Sequence, residues 1–240
     1  MKKKNRLQEF ARYVSLNVMG MIGLSCYILA DTFFVSKGLG TDGLTALNLA
    51  IPIYNFIHGS GLMIGMGGGT RYSIQKSQED HKAANRTFTH TLYLAAVFAV
   101  IFVAVGLLFA GDIVYLFGAR DNVYTMSRTY LRVILLFAPA FLLNNVLLCF
   151  VRNDGAPQLS MAAMIGGSLS NVVLDWVFIF PCGMGIFGAV FATGLAPIIS
   201  MLILSSHFIR RHNGFYPVKC RPQPGQAGWI LSSGVPSLVT

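Results

Sequence analysis

Six apolar runs, near residues 10–35, 44–70, 87–110, 124–150, 159–181 and 186–209, constrain this chain more than any other feature. Each is long enough to approach or exceed the roughly 20 residues with which an α-helix crosses about 30 Å of hydrocarbon. The expected fold is an all-α polytopic membrane protein built as a bundle of six transmembrane helices. A seventh run begins near Gly228 and reaches Thr240 after about 13 residues, too short to span. It is expected to be the start of a seventh helix, truncated.

Composition agrees, since 54% of residues are hydrophobic and only 11% are charged, outside the range of a soluble domain. The excess of 18 Lys and Arg over 9 Asp and Glu is a topology signal. The cations gather at span ends and not on one face, which argues against a nucleic-acid partner. One side carries Lys2, Lys3, Lys4, Arg6, Arg12, Arg71, Lys76, Lys82, Arg86, Arg152, Arg210, Arg211, Lys219 and Arg221; the other carries only Lys37, Arg120, Arg128 and Arg132. Cationic loops face the cytoplasm, so the N-terminus and the loop after the sixth run are expected there. The three lysines at the start resemble a signal peptide, but Glu9 and Arg12 interrupt the pattern, and a retained first span is expected. Outer hairpins are expected at 36–43 and 181–185. The Asn85-Arg86-Thr87 sequon is expected in a cytoplasmic loop, unglycosylated. Cys26, Cys149, Cys182 and Cys220 lack metal-ligand spacing and read as packing residues.

Within the apolar runs lie two acids, Asp31 and Asp175. An ionisable group at hydrocarbon depth costs about 2.5–3.5 kcal/mol on insertion scales and usually lines a cavity or an ion path. Asn171 precedes Asp175 by one helical turn and shares its face. The two outer hairpins also match: from Asp31 the chain reaches Gly43 and then Pro52, and from Asp175 it reaches Gly188 and Pro197, with Asn48 falling opposite Thr193. Two buried acids repel unless a proton or cation relieves them, and amide and hydroxyl oxygens are ligands suited to hard cations. A proton or sodium site at Asp31, Asn171, Asp175 and Thr193 is therefore expected, with Asn48 and His58 as secondary polar contacts. His58 fits either a titrating group or a hydrogen-bonded packing residue.

Asn55, Asn144 and Asn145 read as interhelical hydrogen-bonding residues. The glycines between 61 and 69 are not followed by Lys-Ser or Lys-Thr, so they form no phosphate loop. Gly61, Gly65 and Gly69 instead recur every four residues, as close helix packing requires. None of Tyr27, Phe137, Phe141 and Phe178, which suit a cavity for flat cations, is assigned a role. Two intramembrane acids also suggest an aspartyl protease, but the expected Tyr-Asp and Gly-x-Gly-Asp contexts are replaced by Ala30-Asp31 and Leu174-Asp175. No enzyme activity, and no cofactor beyond a coupling ion, is expected.

Leu29 to Val35, Asn48 to Pro52, Arg152-Asn153-Asp154-Gly155-Ala156-Pro157, Asn171 to Asp175 and Gly188 to Thr193 together resemble the multidrug and toxic compound extrusion (MATE) transporters, especially their bacterial DinF-like branch. The resemblance implies a twelve-helix antiporter of two six-helix lobes, exporting cationic or amphiphilic organic compounds across the cell membrane in exchange for sodium or protons. It implies that the first-lobe cation site falls at Asp31, Asn171, Asp175 and Thr193. Residues 1–209 then correspond to the N-terminal lobe, 210–227 to a cytoplasmic inter-lobe linker and 228–240 to the opening of helix seven. The implied partners are the bilayer, a small organic substrate and a second lobe from the same gene or a partner chain. Two other functions fit the same residues: a lipid-linked oligosaccharide flippase of the superfamily, and a half-protein that packs with a partner membrane protein without transporting.

Overall fold

The structure, a computed structural model, describes residues 2–238, with side chains described mainly from residue 28 onward. The side chains of Lys2, Lys3, Lys4, Arg6, Glu9, Arg12, Cys26 and Tyr27 lie outside the described residues. Eight α-helices follow in order: α1 (Lys2–Ser77), α2 (His81–Leu108), α3 (Ala110–Leu116), α4 (Asp121–Leu136), α5 (Ala138–Asn153), α6 (Pro157–Ile179), α7 (Gly185–Ile209) and α8 (Pro224–Gly234). A 3₁₀ turn, Val235–Leu238, comes last, and no strand occurs among the described residues.

The hairpin expected over 36–43 is compressed into one residue. Gly40, at φ 65° and ψ −155°, is the non-helical position within α1 among the described residues. That region of backbone space is essentially open to glycine alone, because a Cβ clashes there. The break folds α1 into two antiparallel rods, and Asp31 and Thr32 of the first consequently line one cavity with Leu47, Ala50 and Tyr54 of the second.

Among the described residues four helices are long and apolar enough to cross a membrane, and α4 with α5, bent by 46°, adds a fifth where the pair is taken as one span. The first of the six expected runs, 10–35, falls largely on residues whose side chains lie outside the described ones. The run at 124–150 is thus two helices, not one. Pro139 at the start of α5 has no N–H for the carbonyl one turn earlier, and its ring crowds that carbonyl, so the helix breaks at Phe137.

The glycine stripe packs as its spacing predicts. A Cβ at Gly61 would stand 2.7 Å from Asn145 Nδ2, at Gly65 2.9 Å from the Asn145 carbonyl, and at Gly69 2.5 Å from Asn153 Nδ2. The second rod of α1 therefore lies directly against α5, which small residues alone permit.

Asn85 is not in a loop. Helix α2 already begins at His81, with Asp80 accepting from the Ala83 N–H, and Asn85 is buried, receiving the Tyr216 N–H at 3.0 Å. The stretch 210–223 is consequently a docked strap. The Val218 N–H donates to Thr89 Oγ1 at 2.9 Å, and Phe215 is fully buried among Tyr72, Phe88 and Phe150, with ring centroids 4.7–5.8 Å apart.

Candidate ion site and adjoining cavity

The first rod of α1 and helix α6 bring Asp31 and Asp175 together, and helix α7 adds Thr193. Asp31, Asn171, Asp175 and Thr193 are all buried, two of them completely. The carboxyls of Asp31 and Asp175 lie close enough to interact directly. Their outer oxygens are less well provided for, since Oδ1 of each is buried with no hydrogen-bond partner. Two carboxyls this close require a proton or a cation to relieve their repulsion.

Asn171 bridges the acid to α7. With its amide oriented to suit its neighbours, the nitrogen donates to Asp175 Oδ2 at 3.1 Å and the oxygen accepts from the Thr193 N–H at 3.2 Å. The Thr193 hydroxyl donates to the Ala189 carbonyl at 3.1 Å, one turn back along α7. Among the described residues no group of three or more His, Cys, Asp or Glu converges. The oxygens that converge are those of the two carboxyls and the Thr193 hydroxyl, which suit a hard monovalent cation or a shared proton, while Asn171 turns its nitrogen to Asp175 and its oxygen to the Thr193 N–H.

Two residues that the sequence did not single out border the site. Tyr130 of α4 is buried and lines the same small cavity as Asp31 and Thr193. Tyr54, on the second rod of α1, lies beside it. A tyrosine in an apolar helix carries no penalty comparable to an acid's, so nothing in its local sequence marks it. The secondary positions divide. His58 lies close by, stacked on Tyr54 at 6.0 Å, with Asn145 Nδ2 3.3 Å from its Nδ1. Asn48 is exposed and lines neither cavity, so the matching hairpins do not give Asn48 and Thr193 the same surroundings.

Two cavities flank these residues. The smaller, about 70 Å³, is lined by Asp31, Tyr54, Tyr130 and Thr193 and suits an ion with one or two waters. The larger, about 660 Å³, is lined by Asn55, His58, Asn144, Asn145, Ser200 and the cation Arg152 among others. Its volume falls within the range of small-molecule sites. Asn144 Oδ1 and Ser200 Oγ line it without a hydrogen-bond partner.

Comparison with known proteins agrees with this architecture. The multidrug export protein MepA of Staphylococcus saprophyticus is 27% identical over 185 residues, covering 77% of this chain and 41% of that protein. MepA of Staphylococcus aureus MRSA252 is 26% identical over 184 residues, with the same coverage. A crystal structure of MATE in complex with MaD3S superposes with a TM-score of 0.86 at 28% identity, covering 95% of this chain and 52% of that one. An outward-facing multidrug resistance MATE family transporter of the MOP superfamily gives 0.86 at 29%, covering 95% and 51%. The chain thus spans about two fifths of the length of these curated relatives and half that of the solved structures. It is a multi-pass membrane protein. The MatE family model matches residues 18–177, well over half of the sequence, and the chain belongs to that family of transporters.

Proposed function

We propose that this chain forms the first lobe of a cation-coupled antiporter that exports cationic or amphiphilic drugs and other toxic organic compounds. The coupling ion is sodium or a proton, held by Asp31, Asn171, Asp175 and Thr193, and the N-terminus is cytoplasmic. A second six-helix lobe, from the same gene or a partner chain, completes the transport path. The observation that carries this proposal is the buried Asp31–Asp175 pair, with one partnerless oxygen on each carboxyl, beside a 660 Å³ cavity.

The chemistry is exchange, not bond breaking. A bound proton or sodium ion relieves the repulsion between the carboxyls and draws the first rod of α1 towards α6. Thr193 belongs to the walls of both cavities, so a shift at the acids alters the space offered to an organic ligand. Such coupling is reciprocal, and a ligand in the large cavity changes the ion affinity by the same factor. The direct test is ion-driven efflux from cells carrying the chain together with its second lobe. Asp31→Asn is expected to reduce efflux to background with the protein still in the membrane, and normal efflux from that variant would refute the assignment.

A further inference from the structure

Along the second rod of α1, residues 50, 54, 58, 62 and 66 recur every four positions and so share one helix face. Ala50 and Tyr54 line the small cavity, while Tyr54, His58, Leu62 and Met66 line the large one. The two linings overlap only at Tyr54, Asn55 and Thr193. Thr193 has a small side chain whose hydroxyl donates to the Ala189 carbonyl of its own helix. Tyr54 is the one aromatic side chain of the three, and its ring meets a different set of groups on each side. Asp31 and Tyr130 stand on the ion side. On the ligand side the ring stacks on His58 at 6.0 Å and meets Phe141 edge-on at 5.5 Å. Asn145 in turn holds His58, donating to its backbone carbonyl at 3.3 Å.

We propose that Tyr54 is the positioning residue that couples the ion site to the ligand cavity, its ring forming the movable wall between them. This rests on the ion-site assignment proposed above. The ring belongs to both walls, so any rotation that suits an occupied acid pair reshapes the larger cavity, and a ligand stacked against the ring biases the ion side in return. The phenol hydroxyl is not needed for this. The flat ring is, because it fills the gap and transmits the displacement to His58 and Phe141.

The test measures the affinity of the purified chain for ethidium, a flat lipophilic cation, by fluorescence anisotropy. Titrations are run with and without sodium at matched ionic strength, and at two pH values. In the wild type the dissociation constant is expected to change by ~5-fold or more with one of the two ions, the lower bound of ordinary coupling. Tyr54→Ala and Tyr54→Leu are expected to bind ethidium and still be stabilised by the coupling ion, but with the affinity ratio collapsed to about one. Tyr54→Leu retains much of the side-chain volume and keeps the test valid if the alanine variant does not fold. Tyr54→Phe is expected to keep the wild-type ratio. An undiminished ratio in the leucine variant, or loss of the ratio in the phenylalanine variant, overturns the role of the ring. A wild type that does not bind ethidium, or whose ethidium affinity ignores both ions, overturns instead the ion-coupled function on which the inference rests.

Discussion

The carboxyls of Asp154 and Asp175 are both buried, yet their partners give them different chemistry. Asp154, at the end of α5, accepts from Lys76, from the Tyr72 hydroxyl at 2.6 Å, and from the Gly214 N–H at 2.6 Å, and lies 2.9 Å from His207 Nε2. Burial pushes its carboxyl up, but the hydrogen bonds, that of Lys76 foremost, outweigh burial and leave it below the ordinary carboxylate range. A depressed native pKa stabilises the fold above the unfolded value of 3.8 and ceases to do so as pH falls through the lower native value. Asp154→Ala is expected to cost about 3 kcal/mol at neutral pH, the low end for a broken buried pair because Lys76 is 38% exposed and turns to water. The difference between wild type and variant, followed by tryptophan fluorescence during unfolding, should shrink as pH drops below about 4. A constant difference down to pH 2 would contradict this. Asp31 and Asp175 were legible in the sequence because a carboxyl inside an apolar run is costly, and Asn171 and Thr193 because they fall one turn away or at a matching hairpin position. Asp154 reads as an ordinary span-end acid, since its partners Lys76 and His207 lie 78 and 53 residues away. Tyr54 and Tyr130 were equally hidden, because a tyrosine is at home in both core and interface.

At the scale of elements, the apolar runs place the helices but not their breaks. Gly40 was hidden inside a stretch that reads as a loop, and its geometry, not flanking loop residues, makes the turn. Gly40→Ala is expected to cost about 1–3 kcal/mol through backbone strain alone, because nothing lies within 4 Å of the added carbon. Gly228→Ala, in the interior of α8 with equally open surroundings, is expected to add about 0.5–1 kcal/mol. Thermal unfolding of the pair checks both signs, and equal shifts would mean that Gly40 is not strained. Pro139 went unread inside the run 124–150, since an apolar run of sufficient length conceals a bend and hydropathy is blind to the backbone. The glycine stripe was read correctly because close packing depends on side-chain size and spacing alone. The sequon at Asn85 misled because three polar residues between apolar runs read as a loop, whereas α2 starts four residues earlier at His81.

At the scale of the molecule, charge asymmetry predicts which end faces the cytoplasm, and two cysteines report on it. Cys182 is exposed in the turn between α6 and α7, and Cys220 is partly exposed on the strap after α7. In intact cells carrying single-cysteine variants, a membrane-impermeant maleimide is expected to label Cys182 and to reach Cys220 only after permeabilisation. The reverse pattern would invert the topology. The strap itself was expected as a basic linker, and its basic residues are indeed exposed, but Phe215 anchors it in the aromatic cluster. Burial of one phenylalanine depends on a pocket built by α1, α2 and α5, which no local pattern in 210–223 reveals. The central claim is that the buried acid pair binds the coupling ion, and thermal stability of the purified chain across a sodium series at two pH values tests it most directly. An ion that binds only the folded state adds about 2.7 kcal/mol at a hundred times its dissociation constant. The account predicts stabilisation by sodium, or by protons in its place, that disappears in Asp175→Asn; stability indifferent to both ions, or an effect of the same size in the variant, would contradict it.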